Sequence, residues 1–106
     1  MVCPIGPAQH DNRFPLYPLA SAGLYVNFGF WDVVESASAH EPGHFNRKIE
    51  KMVLDLGGIK SLYSDCYFDR ATFARAYAID QYQALKQKYD PQHRTLDLYD
   101  KCVLRA

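Results

Sequence analysis

The chain has no net charge: its 12 Lys and Arg are matched by 12 Asp and Glu. A balanced surface leaves no electrostatic footprint for nucleic acid, and no Lys/Arg stripe runs along any segment, so nucleic-acid binding is not expected. Long apolar runs are missing too. Nothing approaches the roughly 20 residues needed to span a bilayer, and the opening lacks a basic region followed by an apolar stretch. The expectation is a soluble chain, whatever a longer parent carries elsewhere. Cysteine is scarce and odd in number. Cys3, Cys66 and Cys102 form no C-x-x-C pair, which argues against a zinc ribbon or a disulfide framework and for buried thiols in a reducing compartment. Neither G-x-G-x-x-G nor G-x-x-x-x-G-K-[ST] occurs, so no phosphate-cradling turn is expected.

What is present is apolar and aromatic. Hydrophobic residues make up 48% of the 106, too many for a disordered chain, and eight Tyr accompany six Phe and one Trp. Tyrosine in such number suits half-wet faces, with the ring buried and the hydroxyl partnered, as on a cofactor wall, a domain interface or a sheet. The length allows one domain or part of one.

Residues 1–21 hold Pro4, Pro7, Pro15 and Pro18 and read as a strand stub near Val2 and Cys3 followed by an irregular loop lying on a neighbour. Residues 22–34 alternate, with Leu24, Val26, Phe28 and Phe30 on one face and Tyr25, Asn27, Gly29 and Trp31 on the other, the pattern of a half-buried strand. Residues 43–56 form the clearest helix. Phe45, Ile49, Met52, Val53 and Leu56 make its apolar stripe, and Arg47, Lys48, Glu50 and Lys51 are expected outside. Gly57 and Gly58 stop it with a left-handed cap, and residues 59–63 return as a short strand. Residues 22–63 thus read as β-α-β. In the tail, 64–106, Asp69 caps a helix carrying Phe73, Ala74 and Tyr77. Asp80 caps a second with Tyr82, Leu85 and Tyr89 inside, and Asp90-Pro91 ends it. A last short helix from about Leu96 presents Leu98, Tyr99, Cys102 and Val103. The fold class is α+β: a short antiparallel sheet covered by a helix, then a helical C-terminal tail, together one incomplete domain.

Three clusters could carry chemistry. His40 and His44 have the i, i+4 spacing of a metal-binding helix, but Pro42 and Gly43 lie between them, so they read as two exposed loop histidines and no metal site is assigned. Cys66 follows a strand beside Asp65, whose charge would raise its pKa, so it reads as structural. Tyr63 and Tyr67, taken on residue chemistry alone, are half-buried structural rings.

A colinear set of short motifs alters that balance. Leu62-Tyr63-Ser64-Asp65-Cys66-Tyr67, residues 70–73, residues 82–89 and Tyr99-Asp100-Lys101 stand in order, after Cys3-Pro4 and Leu24-Tyr25-Val26-Asn27-Phe28-Gly29. The set resembles the carboxy-terminal region of the FAD-linked oxidases of the vanillyl-alcohol-oxidase superfamily, most closely the delta(24)-sterol reductase-like branch. That family binds FAD mainly through an N-terminal domain, which this chain does not contain, while a cap with an antiparallel sheet shapes the substrate site. The resemblance implies that Tyr63, Asp65 and Tyr67 lie nearest the flavin and that Tyr25 and Asn27 face the substrate. Where the family strand carries an acid this chain has Asn27, so no proton transfer is expected there. It further implies hydride transfer between flavin and a small apolar substrate, a flavin-binding domain as partner in cis or in trans, and NADPH as reductant in the reductase direction. Alone, the chain is expected to be inactive and to self-associate through an exposed apolar face. The alternatives are a stand-alone α+β module binding a small ligand or a protein, and, more weakly, a metal-dependent protein using His40, His44 and Cys66.

Overall fold

In the computed structural model, which describes residues 1–6, 16, 23–29 and 31–106, Pro4 sits inside the first strand. Strand β1 (Val2–Ile5) pairs antiparallel with β2 (Tyr25–Phe28), Val2 opposite Phe28 and Ile5 opposite Tyr25. At the end of the ladder Gly29 donates its N–H to Met1 O at 2.8 Å, and Met1 N donates to Gly29 O at 2.6 Å. Alternation along an antiparallel pair makes Cys3–Asn27 the next hydrogen-bonded pair and Pro4–Val26 a non-bonded one. The N–H that proline lacks would have pointed away from β2, so the ladder loses nothing.

The strand expected over 22–34 is realised only over Tyr25–Phe28, and residues 31–36 are irregular. Its partner pairs no further than Met1, which ends the ladder at Gly29. The alternation is present, and the face of Tyr25 and Asn27 is the more covered one. Tyr25 and Asn27 are half-buried, whereas Val26 is 41% and Phe28 66% exposed, because no described helix packs against the strand pair. The Pro-rich loop, Ala22 and Phe30 lie outside the described residues.

Helix α1 (His44–Asp55) starts and ends on glycines. Gly43 precedes it at φ 77°, and Gly57 follows it at φ 74°. Gly58 N–H reaches Val53 O at 2.8 Å and Gly57 N–H reaches Leu54 O at 2.9 Å, the double bond of a Schellman cap. The buried face is rotated from the expected stripe. Glu50, expected outside, is 4% exposed, while Met52 and Leu56 stand largely in solvent. Residues 59–63 form no strand: no strand among the described residues pairs with them, and Tyr77 Oη instead donates to Lys60 O at 2.6 Å.

The α+β layout holds, with its core in the helical part. Cys66, Phe68, Phe73 and Tyr77 are buried together, and Leu54 and Ile59 from the first half and Leu98, Tyr99, Cys102 and Val103 from the tail pack against them. Asp69 caps α2 (Arg70–Ala76) as expected, accepting from Thr72 N–H at 2.8 Å and from Thr72 Oγ1 at 2.9 Å. The cap of α3 (Ile79–Tyr89) is Ala78 at φ 46°, and Asp80 falls in the first turn instead. Asp90-Pro91 ends α3. Its inner face carries the buried Lys86, while Leu85 and Tyr89 are exposed, contrary to the apolar reading. Leu98 begins the final turn, which is π-helical over Asp100–Leu104. Phe73 meets Tyr99 edge-on at 5.2 Å between ring centres, and Tyr99 Oη donates to Phe68 O at 3.1 Å.

Candidate functional site

The loop between α1 and α2 carries three of the five residues singled out by the sequence, and it is organised from below by Glu50. Both Glu50 carboxylate oxygens accept the Tyr67 N–H, at 3.2 and 3.1 Å, and Lys60 Nζ lies 3.6 Å from Oε1. Burial pushes the Glu50 carboxyl pKa up, and the Tyr67 N–H and the Lys60 ammonium only partly offset it. The Tyr67 ring covers Gly43 so closely that any Cβ there would overlap it, and the Arg47 guanidinium stands over its face, 4.9 Å from the centroid. Arg47 also donates to Tyr67 O at 3.2 Å. Tyr67 is thereby fixed at the junction of α1 and the loop.

Its neighbours face outward. Tyr63 is 65% exposed, and Asp65 is ion-paired with Arg105. Cys66, between them, is buried at 3% exposure, and its thiol pKa is raised first by that burial and further by Glu50. Asp65, the carboxylate expected to raise it, is turned toward Arg105. A raised thiol pKa disfavours the thiolate, so Cys66 packs and does not react. Cys3, expected to be buried, is exposed on β1. Tyr25 and Asn27 are carried by β2, and the other three candidates by the helical part.

The two histidines are closer than loop residues need be. Their rings stack at 4.1 Å with planes 5° apart, and Phe45 meets both edge-on. His40 Nε2 lies 2.9 Å from Ser36 Oγ. His44 is half-buried and opens α1, so it is not the exposed loop residue expected. Loss of hydration, then the nearby His40 and Lys48, lowers its pKa. Together with Val34, Glu41 and Asn46 the pair lines an open groove of about 380 Å³. Among the described residues no three His, Cys, Asp or Glu are grouped to hold a metal ion.

Sequence reasoning missed two buried ionic centres, Glu50 and Lys86. Lys86 Nζ donates to Thr95 O at 2.7 Å, Thr95 Oγ1 at 2.9 Å and Asp90 Oδ2 at 3.1 Å, closing the loop after α3 onto the helix. A local signal existed for this one alone: Lys86 and Asp90 are four apart.

Among curated proteins the chain is 32% identical over 86 residues to the Delta(24)-sterol reductases of Homo sapiens and Macaca fascicularis, and 31% identical to that of Rattus norvegicus. No protein-family model matches the chain, and no solved structure does. The matched stretch is 80% of this chain and 16% of each relative. Over most of its length the chain is therefore similar to the delta(24)-sterol reductases, and it spans 16% of their sequence.

Proposed function

We propose that this chain is the C-terminal cap-and-tail portion of an FAD-dependent oxidoreductase of delta(24)-sterol reductase type, and that it works only when joined to a flavin-binding domain. The observation that carries this reading is the 86-residue similarity to the sterol reductases. The described residues do not fit a whole FAD by themselves. The open groove of about 380 Å³ beside α1 is lined by His40, His44 and Phe45 with Val34, Glu41 and Asn46, and the chain has no glycine-rich turn to take the pyrophosphate. The flavin and its phosphates belong to the remainder of the enzyme, and the flavin supplies hydride transfer to or from an apolar substrate.

In this reading the chain contributes walls and supports. The Glu50–Tyr67 bond and the Tyr67–Gly43 contact fix the loop that presents Tyr63. The Arg105–Asp65 pair holds the tail against it, and the Arg70–Asp100 pair ties the same tail to α2. Tyr25 and Asn27 line the substrate side from β2. None of these groups is a catalytic acid: Asp65 is ion-paired, Cys66 is buried as a thiol, and Asn27 does not ionise.

Co-expression with a flavin-binding domain of the same family, followed by an absorption spectrum of the co-purified material, tests this. A yellow complex with a flavin band is the expected result. A colourless chain that purifies apart from that domain overturns the reading in favour of a stand-alone binding module.

A further inference from the structure

The ladder pattern of the strand pair makes one of its edges open and the other poor. In the non-bonded pairs, Val2–Phe28 and Pro4–Val26, the backbone groups point away from the partner strand. On β1 the outward positions are Val2 and Pro4, and Pro4 has no N–H to offer. On β2 they are Val26 and Phe28, with Leu24 one step before them. No hydrogen bond among the described residues uses these outward groups. Leu24 at 68%, Val26 at 41% and Phe28 at 66% exposure share one face of that edge, and the sequence from Gly23 to Trp31 holds no charged residue.

We propose that β2 pairs antiparallel with β2 of a second copy of this chain, about a two-fold axis at Val26. The register is self-complementary. Val26 meets Val26 of the second copy, Leu24 meets its Phe28, and all three pairs are hydrogen-bonded ones that lay apolar side chains together. No like charges face each other across the axis. The product is a four-stranded sheet, β1-β2-β2-β1, with Pro4 on both outer edges, so addition stops at two copies and does not run on into a fibre. A lone two-stranded pair is marginal in water, so the third and fourth strands also stabilise the first two. The pairing requires only β2 and stands independently of any flavin chemistry.

The test is light scattering on the purified full chain over a range of concentrations. A concentration-dependent dimer is expected for the wild-type chain. Val26→Pro removes the outward N–H without touching a bond to β1, and Val26→Lys sets two like charges against each other on the axis. Both are expected to be monomers that keep the helical bands of the far-ultraviolet dichroism. A second measurement does not depend on those variants folding well. Hydrogen-bonded antiparallel pairs hold Cα atoms about 5.5 Å apart, within the range a disulfide bridges. With diamide as oxidant, the Cys3→Ser/Val26→Cys chain is expected to cross-link at least tenfold faster than Cys3→Ser/Val34→Cys, whose new thiol is also exposed. A monomeric wild-type chain, a dimer indifferent to both Val26 substitutions, or equal cross-linking rates would overturn the proposal.

Discussion

Glu50 accepts the backbone N–H of Tyr67 on both carboxylate oxygens, at 3.2 and 3.1 Å, from a position 4% exposed on the inner face of α1. A buried carboxylate serving a single loop amide makes the helix and the loop one unit. Glu50→Ala leaves that N–H without its acceptor, and such orphaned donors cost about 1–3 kcal/mol. Urea unfolding is expected to show a loss in that range for Ala and a smaller one for Glu50→Gln, which keeps an acceptor oxygen.

The same carboxyl sets one arm of the pH dependence. Its pKa is raised on folding, so the native state holds the proton more tightly than the unfolded chain does. Its contribution to stability therefore grows as pH falls from neutrality toward the unfolded glutamate value, about 4.3. Thermal midpoints measured between these limits should show a rise that Glu50→Gln abolishes.

Asp90 sets the opposite arm. The Thr95 hydroxyl at 2.7 Å, the Thr95 N–H at 3.0 Å and the Arg94 N–H at 2.8 Å, with Lys86 beyond them, hold its carboxyl well below the usual aspartate range. A depressed folded pKa gives stability that is complete above the unfolded value, about 3.9, and is lost as pH falls through the folded one. Asp69, lowered by Thr72, acts in the same sense. Acid titration followed by dichroism should show a steep loss below that value, shallower in Asp90→Asn.

Gly43 combines a φ of 77° with the Tyr67 ring lying where a Cβ would be. Gly43→Ala both strains the backbone, at about 1–3 kcal/mol, and pushes the ring off Arg47. A fall in the thermal midpoint is expected, with a weaker near-ultraviolet tyrosine signal.

Phe73 is fully buried at 0% exposure, against Tyr77 and Tyr99. Phe73→Ala is expected to cost about 3–5 kcal/mol, which a core of this size does not survive. Tyr77→Phe keeps the buried ring and removes the bond to Lys60 O, at about 0.5–1.5 kcal/mol for such a bond. Calorimetry should therefore find a cooperative transition in the second variant and none in the first.

Features whose cause is local could be read from the sequence. Gly57-Gly58 stops α1 because a left-handed residue is needed there, Asp69 caps α2 through a residue three ahead, and Asp90-Pro91 breaks α3. Features whose cause arrives from elsewhere could not. Glu50 turned inward because the Tyr67 amide came to it from 17 residues away, and no periodicity encodes that. Lys86 displaced Leu85 and Tyr89 from the inner face because Thr95 and Asp90 surround its ammonium. Which sheet face is covered was not legible for the converse reason: alternation in β2 shows that two faces differ, and only a packing neighbour decides which is covered. Of the site candidates, Tyr67 was legible as a half-buried ring, while the engagement of Asp65 with Arg105 depends on how the tail closes.

The bond from Tyr99 to Phe68 spans 31 residues and lies across the buried cluster. During synthesis, Phe68, Phe73 and Tyr77 leave the ribosome well before Tyr99, Cys102 and Val103 do. For that interval the nascent chain displays an unfinished aromatic surface, the kind of segment that holdase chaperones retain until the missing side arrives.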